Sequence, residues 1–203
     1  MKHFKHLIIL LLIGVLGTSC AENGKKLKKE IEDSSQIIKN SKSVAKEAAG
    51  MQENMALLRD KDPLSKEQFK SWLPDTLLNL PLTSSKFNII PEMGSCGGTY
   101  HIGNKRIRVM VIDGAGEKGA GGVGPYRMSS KMDYDTTNDW GYSKTRMISG
   151  IKVKESYNKG ANSYNLSLFY GERFAVDIKT NEIDKESLDK IVRELNLIEL
   201  KNL

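Results

Sequence analysis

Histidine, cysteine and proline are scarce in this chain of 203 residues, at three, two and five, and aromatic residues make up only 7% of it. Structural zinc sites need about four Cys or His donors, and beyond residue 20 only Cys96 and His101 remain, so a zinc-built domain is disfavoured. His101 is the one imidazole beyond residue 6. Any Ser-His or Cys-His nucleophile would have to use it, and no G-x-S-x-G elbow is present to supply a serine. No Gly-Lys-Ser/Thr triplet occurs, which excludes a P-loop. Also missing is a long apolar run. Residues 7–16 are apolar apart from Gly14, but a helix of that length covers about 15 Å, roughly half of a bilayer's hydrocarbon. Finally, charge of one sign does not dominate: 31 basic residues face 25 acidic ones. A nucleic-acid binder concentrates basic charge with aromatics on one patch, so nucleic acid is not expected as a partner.

What is present begins at the N-terminus. Lys2 and Lys5 precede the apolar run, and the small residues Gly17, Thr18 and Ser19 follow it. This is the order of a secretory signal peptide over residues 1–19, which is read and removed. The segment Leu16-Gly17-Thr18-Ser19-Cys20 resembles the lipobox of bacterial lipoproteins, with Leu at −4 and Gly at −3, where the usual pattern has Leu. The resemblance implies cleavage before Cys20, a diacylglyceryl thioether on its sulfur and an acyl chain on its new amino group. Several acyl chains anchor stably where one binds only marginally. Ala21 rather than Asp in the following position implies, by similarity to Gram-negative sorting rules, the outer membrane, on its periplasmic or its surface face. The mature chain would keep 29 basic and 25 acidic residues, a net charge of +4. Cys96 would be its only free thiol, so no intramolecular disulfide can form.

Two regions follow Cys20. Residues 25–62 contain no proline, no aromatic residue and one glycine, Gly50, and read as a long helix or flexible stalk spanning residues 20–62. Leu27, Ile31, Ser34, Ile38, Ser41, Ala45, Ala48, Gln52 and Met55 fall at heptad spacing. Two serines and a glutamine weaken that seam, so self-association has little apolar area behind it, and a lone helix lying on the domain or a flexible spacer is expected ahead of it. Lys25, Lys26, Lys28 and Lys29 lie close enough to the anchor to meet anionic head groups, at about 1 kcal/mol each at most. A solvated linker explains them equally well.

Residues 63–203 read as one α+β domain. Ser65 and Gln68 form a capping box for a short helix at 66–73, which Pro74 stops. Strands are expected at 82–90, 96–102 and 106–113, the last two joined by a Gly103-Asn104 hairpin turn. Ile107, Val109 and Val111 share one side of the third strand. On the other side, Arg106 and Arg108 give way to Met110 and Ile112, so the strand's second half should be covered on both faces. Further strands are expected at 146–155, 163–170 and 172–179, with a tight turn at Gly171. Asp184 then caps a helix whose Leu188, Ile191, Val192 and Leu195 form one apolar face. Strands in succession closed by a helix give an antiparallel sheet with a C-terminal helix packed on one face.

Trp72-Leu73-Pro74, Val111-Ile112-Asp113-Gly114-Ala115-Gly116, Gly141-Tyr142 with Ile148-Ser149-Gly150, and Arg173-Phe174-Ala175-Val176 together make the chain similar to uncharacterised envelope proteins of Gram-negative bacteria. The resemblance covers residues 64–203. It implies a single domain in the cell envelope and transfers no site residue.

Three patterns bear on chemistry. Gly114-Ala115-Gly116-Glu117-Lys118-Gly119 spells G-x-G-x-x-G after a strand, but a dinucleotide site needs a helix to start there, and Gly121, Gly122, Gly124 and Pro125 stand in its path. A mobile glycine-rich loop over 114–124 is expected instead. Asp133, Asp135 and Asp139 suit a hard cation, yet Asn138 and Lys144 occupy the positions where an EF-hand has Gly and Glu. A solvated turn is the simpler reading. Cys96 and His101 are five apart, so in a continuous strand they face opposite sides. Cys20, for lipid, is therefore the one expected site residue, with no catalytic, cofactor-binding or metal-binding set.

The function expected is that of a lipid-anchored envelope module binding an envelope protein or small ligand without catalysis. The alternatives are a structural or assembly lipoprotein acting through its stalk, and an envelope enzyme using paired carboxylates.

Overall fold

The computed structural model describes the backbone of residues 2–203 and the side chains of residue 28, residues 31–48 and residues 50–203. The side chain of Cys20 and those of the expected signal peptide lie outside the described residues. Helix α1 (Lys2–Arg59) opens the chain. Two compact units result, residues 1–42 and residues 43–203. In the first, Ile31, Ile37 and Ile38 are exposed. Among the described residues, no helix is long and apolar enough to cross a membrane.

The second unit is an α+β fold built on a nine-stranded antiparallel sheet. One meander comprises β1 (Thr76–Leu77), β2 (Leu80–Phe87), β3 (Ser95–Ile102) and β4 (Lys105–Asp113). A second comprises β5 (Asp135–Asn138), β6 (Gly141–Ile148), β7 (Ile151–Asn158), β8 (Ser163–Tyr170) and β9 (Phe174–Asn181). They join where β4 pairs with β9, giving the order β1-β2-β3-β4-β9-β8-β7-β6-β5. The strand expected at 146–155 is in fact two. Ser149 and Gly150, both at positive φ, turn β6 back into β7, because the apolar positions on either side can then share one face. The turn at Gly171 stands as expected, at φ +61°, a conformation glycine adopts without the steric penalty of a Cβ.

On one face of the sheet, the core face, Tyr100, Ile107, Val109, Val111, Leu166, Leu168, Val176 and Ile178 are buried. Against them pack α2 (Lys66–Trp72), α5 (Leu188–Glu194) and α6 (Leu197–Asn202). The capping box of α2 is complete: the Gln68 amide donates to Ser65 Oγ at 3.2 Å, and the Ser65 amide to Gln68 Oε1 at 2.9 Å. Phe69 and Trp72 are thereby turned inward, and Trp72 Nε1 donates to the Asn196 carbonyl ahead of α6. Leu188, Ile191, Val192 and Leu195 are all buried, as their spacing requires. Asp184 makes no side-chain cap bond; a 3-10 turn (Lys185–Ser187) leads into α5 instead.

The opposite face is covered over only part of its area. Residues 114–124, expected as a mobile loop, form α3 (Glu117–Gly122) and run on to α4 (Gly124–Ser130). With the last turns of α1 they bury Leu58, Ile112, Ala120, Val123, Phe169 and Ala175. The glycines fold here because they allow close packing. A Cβ on Gly119 would stand 2.6 Å from the Asp113 carbonyl oxygen, and one on Gly114 would stand 2.6 Å from that of Arg173. Residues 43–59 thus lie against the sheet, although their sequence pattern matched a stalk. Arg127 of α4 holds them further, with Nε donating to Glu47 at 2.7 Å and its other side paired with Glu172.

A buried ion pair ties the two meanders together at their common end. Asp113, wholly buried, accepts from the amides of Leu64 (2.8 Å) and Ala115 (2.9 Å) and from Arg173 Nε (2.6 Å) and Nη2 (2.7 Å). Arg173 also donates to the Asp62 carbonyl. With four donors the carboxylate is fully compensated, which a buried charge requires.

Candidate functional site

Side chains alternate along each strand, so in-register rows cross the sheet. On the part of the second face left open by α3 and α4, one such row runs Ser84 (β2), Thr99 (β3), Arg108 (β4), Lys179 (β9) and Asn165 (β8). The next row carries Lys86, Gly97, Met110 and Asp177. Together they line an open groove of about 470 Å³, within the range of small-molecule sites. Ile89 forms a wall; a Cβ on Gly97 would come 2.9 Å from its Cδ1, so the missing side chain keeps the floor open. At the covered end, the Tyr126 hydroxyl of α4 donates a short hydrogen bond to Asp177. Burial and that bond raise the Tyr126 hydroxyl well above the ordinary tyrosine value.

The groove is electropositive. Lys86, Arg108 and Lys179 are exposed, as is Arg106 beside them on the same face of β4. Among the described residues none of the four forms an ion pair, whereas Lys144 and Arg146 on β6 and Lys152 on β7 do. Arg108 and Lys179 stand directly opposite each other across the β4–β9 ladder, where like charges are destabilising.

A second polar cluster lies on the core face. Glu155 is 1% exposed and accepts from the Tyr142 hydroxyl at 2.6 Å, with Arg146 Nε at 3.2 Å and Lys185 Nζ at 3.9 Å. Burial first, and then this hydrogen bond, raise the Tyr142 hydroxyl. The rings of Tyr142, Tyr157 and Tyr164 stack in a ladder with centroids 5.7 and 4.6 Å apart. The carboxylate is paired with two cations, of which Arg146 is shared with Asp189, an arrangement that suits a structural role.

The residues weighed from sequence fall apart in space. Cys96 is buried on the core face beside Val111, and desolvation pushes its thiol up to about 12. His101 lies on the other face, with Nδ1 3.1 Å from Thr83 Oγ1. A thiol held neutral and turned away from the imidazole is not a nucleophile. The G-x-G-x-x-G segment does lead into a helix, but α3 has six residues. The Gly116 amide is already bonded to the Leu58 carbonyl, and Pro63 lies 3.3 Å from where a Gly116 Cβ would be. Its strands are antiparallel as well, so no pyrophosphate cradle exists. Asp133 pairs with Lys152 and Asp135 with Lys144. Among the described residues, no group of three or more His, Cys, Asp or Glu is placed to hold a metal ion.

Sequence reasoning placed Arg106 and Arg108 on the second side of their strand but not in a site. The signal was the change along one side of that strand from Arg106 and Arg108 to Met110 and Ile112. What completes the groove is Lys179, some seventy residues on, and only the β4–β9 register brings it there. Comparison of the chain with protein-family models, with curated proteins and with solved structures finds no match.

Proposed function

We propose that this protein is a lipid-anchored envelope lipoprotein, held by acylated Cys20, whose α+β domain binds a ligand in the open groove without catalysis. The observation that carries the binding reading is the groove itself. A sheet face covered elsewhere by helices is left bare where Lys86, Arg108 and Lys179 converge. Support for the anchor comes from the n-region, apolar run and lipobox of the N-terminal sequence.

Two measurements test the reading. Mass spectrometry of the N-terminal peptide should show diacylglycerol on Cys20, and Cys20→Ala should move the protein to the soluble fraction; an unmodified Cys20 refutes the anchor. For the groove, a photoreactive side chain placed at Ser84 of the full chain in native envelopes should give a discrete adduct, and one at exposed Glu182 should give none. Equal labelling from both positions, or none from Ser84, refutes binding there.

A second reading, assembly through α1, is favoured by the exposure of Ile31 and Ile38 one heptad apart. Ile31→Ser with Ile38→Ser should then convert an oligomer to a monomer in sedimentation velocity, and a wild-type monomer eliminates it.

A further inference from the structure

Resting on the groove reading above, we propose that its ligand is a phosphorylated saccharide, with the phosphate held between Arg108 and Lys179 and the sugar hydroxyls met by the flanking polar side chains. Three observations lead there.

The first is the unpaired cross-strand couple. Arg108 and Lys179 have Cα atoms about 5 Å apart across an antiparallel ladder. Neither has a carboxylate partner among the described residues, and Lys86 adds a third charge on the rim. Like charges so placed repel, and an oxyanion between them removes the repulsion while accepting charge-assisted hydrogen bonds from both. The one acid of the groove, Asp177, is engaged by Tyr126 and does not pair with either cation.

The second is what flanks the cations. Ser84 and Thr99 stand on one side of Arg108, and Asn165 stands beyond Lys179. Four strand spacings bring this row to about 19 Å. Hydroxyls, an amide and the Asp177 carboxylate can give to and take from a polyol, while Ile89 and Met110 offer C–H surface. None of the lining residues is aromatic, so no ring is there to stack on a nucleobase.

The third is position. β3, β4 and β9 are interior strands whose backbone groups are already spent on both neighbours. An acidic peptide could add no main-chain ladder here, since strand addition needs a sheet edge. The groove's 470 Å³ is the size of a small ligand, not of a protein face.

The test is calorimetric titration of the full chain in nonionic detergent, at about 50 mM salt where screening is modest. The probes are glucose 6-phosphate, glucose, inorganic phosphate and hexaglutamate. Glucose 6-phosphate should bind, more tightly than inorganic phosphate, and glucose should not. Arg108→Ala and Lys179→Gln should each weaken binding about tenfold or more, the scale of a lost charge-assisted bond. Meanwhile the melting temperature of ligand-free Lys179→Gln should hold or rise, because the repulsion is gone. No binding of glucose 6-phosphate, equal binding of inorganic phosphate, preference for hexaglutamate, or a lower melting temperature for Lys179→Gln would each overturn the proposal. A Ser84 adduct in envelopes together with no response to glucose 6-phosphate leaves the groove as a binding site and removes only this ligand class. Loss of both removes the site.

Discussion

The two faces of the sheet are built from the same strands and end in opposite conditions. On the core face the rows crossing β3, β4, β9 and β8 are mostly apolar and lie under α2, α5 and α6, so their large side chains touch others of their kind, and polar groups gather only at the β6–β7 end around Glu155. On the other face the rows begin apolar at Ile112, Ala175 and Phe169, under α3 and α4, and turn polar and charged toward Arg106, Arg108 and Lys179. Burial follows composition, row by row. The lesson is that the boundary of the helical cover, rather than any single motif, marks where the molecule is left to meet something else.

The largest way to break that contrast is at its apolar centre. Phe174→Ala removes a wholly buried ring from the core face and should cost about 3–5 kcal/mol. Against a total of about 5–15 kcal/mol, urea unfolding should show much of the stability gone. Asp113→Ala attacks the tie between the two meanders. It leaves Arg173 without its carboxylate and the amides of Leu64 and Ala115 without their acceptor, and the same experiment should show a loss of about 3–5 kcal/mol. If that loss is negligible, the clamp is not what joins the meanders.

Leu58→Ala tests whether the end of α1 belongs with the sheet. Leu58 is 3% exposed, and truncation should cost about 2–5 kcal/mol, near the low end because its cluster is small. A change below about 0.5 kcal/mol, the surface norm, would detach the helix from the domain. Gly119→Ala should cost about 1–3 kcal/mol by overpacking against the Asp113 carbonyl. A mobile glycine-rich loop would lose almost nothing.

The smallest effect concerns ionisation. Cys96 keeps its proton in the fold up to about 12, against an ordinary 9.0. Above pH 9 the unfolded chain gains a thiolate that the folded one does not, so it binds fewer protons and stability falls as pH rises. Cys96→Ala should flatten that alkaline decline. Native protein at pH 8 should resist a thiol-disulfide reagent and react once unfolded in urea.

Much of the fold could be read along the chain. The Ser65/Gln68 box, the Gly103-Asn104 hairpin, the double-sided half of β4 and the apolar stripe of α5 are local patterns. Their physics is contained within a few turns or one strand, and each stands in the structure where it was expected. The helices at 117–130 were not legible, because glycine is a poor helix former and only the tertiary structure shows Gly119 against the Asp113 carbonyl, Gly122 against Met93 and Gly124 against Met51. The split of 146–155 did have a local signal, the turn dipeptide Ser149-Gly150, both of whose residues stand at positive φ. The groove was visible only in part. Arg106 and Arg108 could be assigned a side of their strand, but a sheet row joins residues far apart in sequence.

By itself the sequence determined the period of each element, and with it which residues could be buried, since alternation and helical spacing depend only on covalent geometry. It also determined the N-terminal pattern on which the proposal of a lipid anchor rests. Only the tertiary structure decided that β4 pairs with β9, that the glycines pack as helices, and that residues 43–59 close part of one face. Those outcomes depend on which distant surfaces bury the most apolar area together, a competition that no local window contains. The same competition left Arg108 opposite Lys179 with no acid between them.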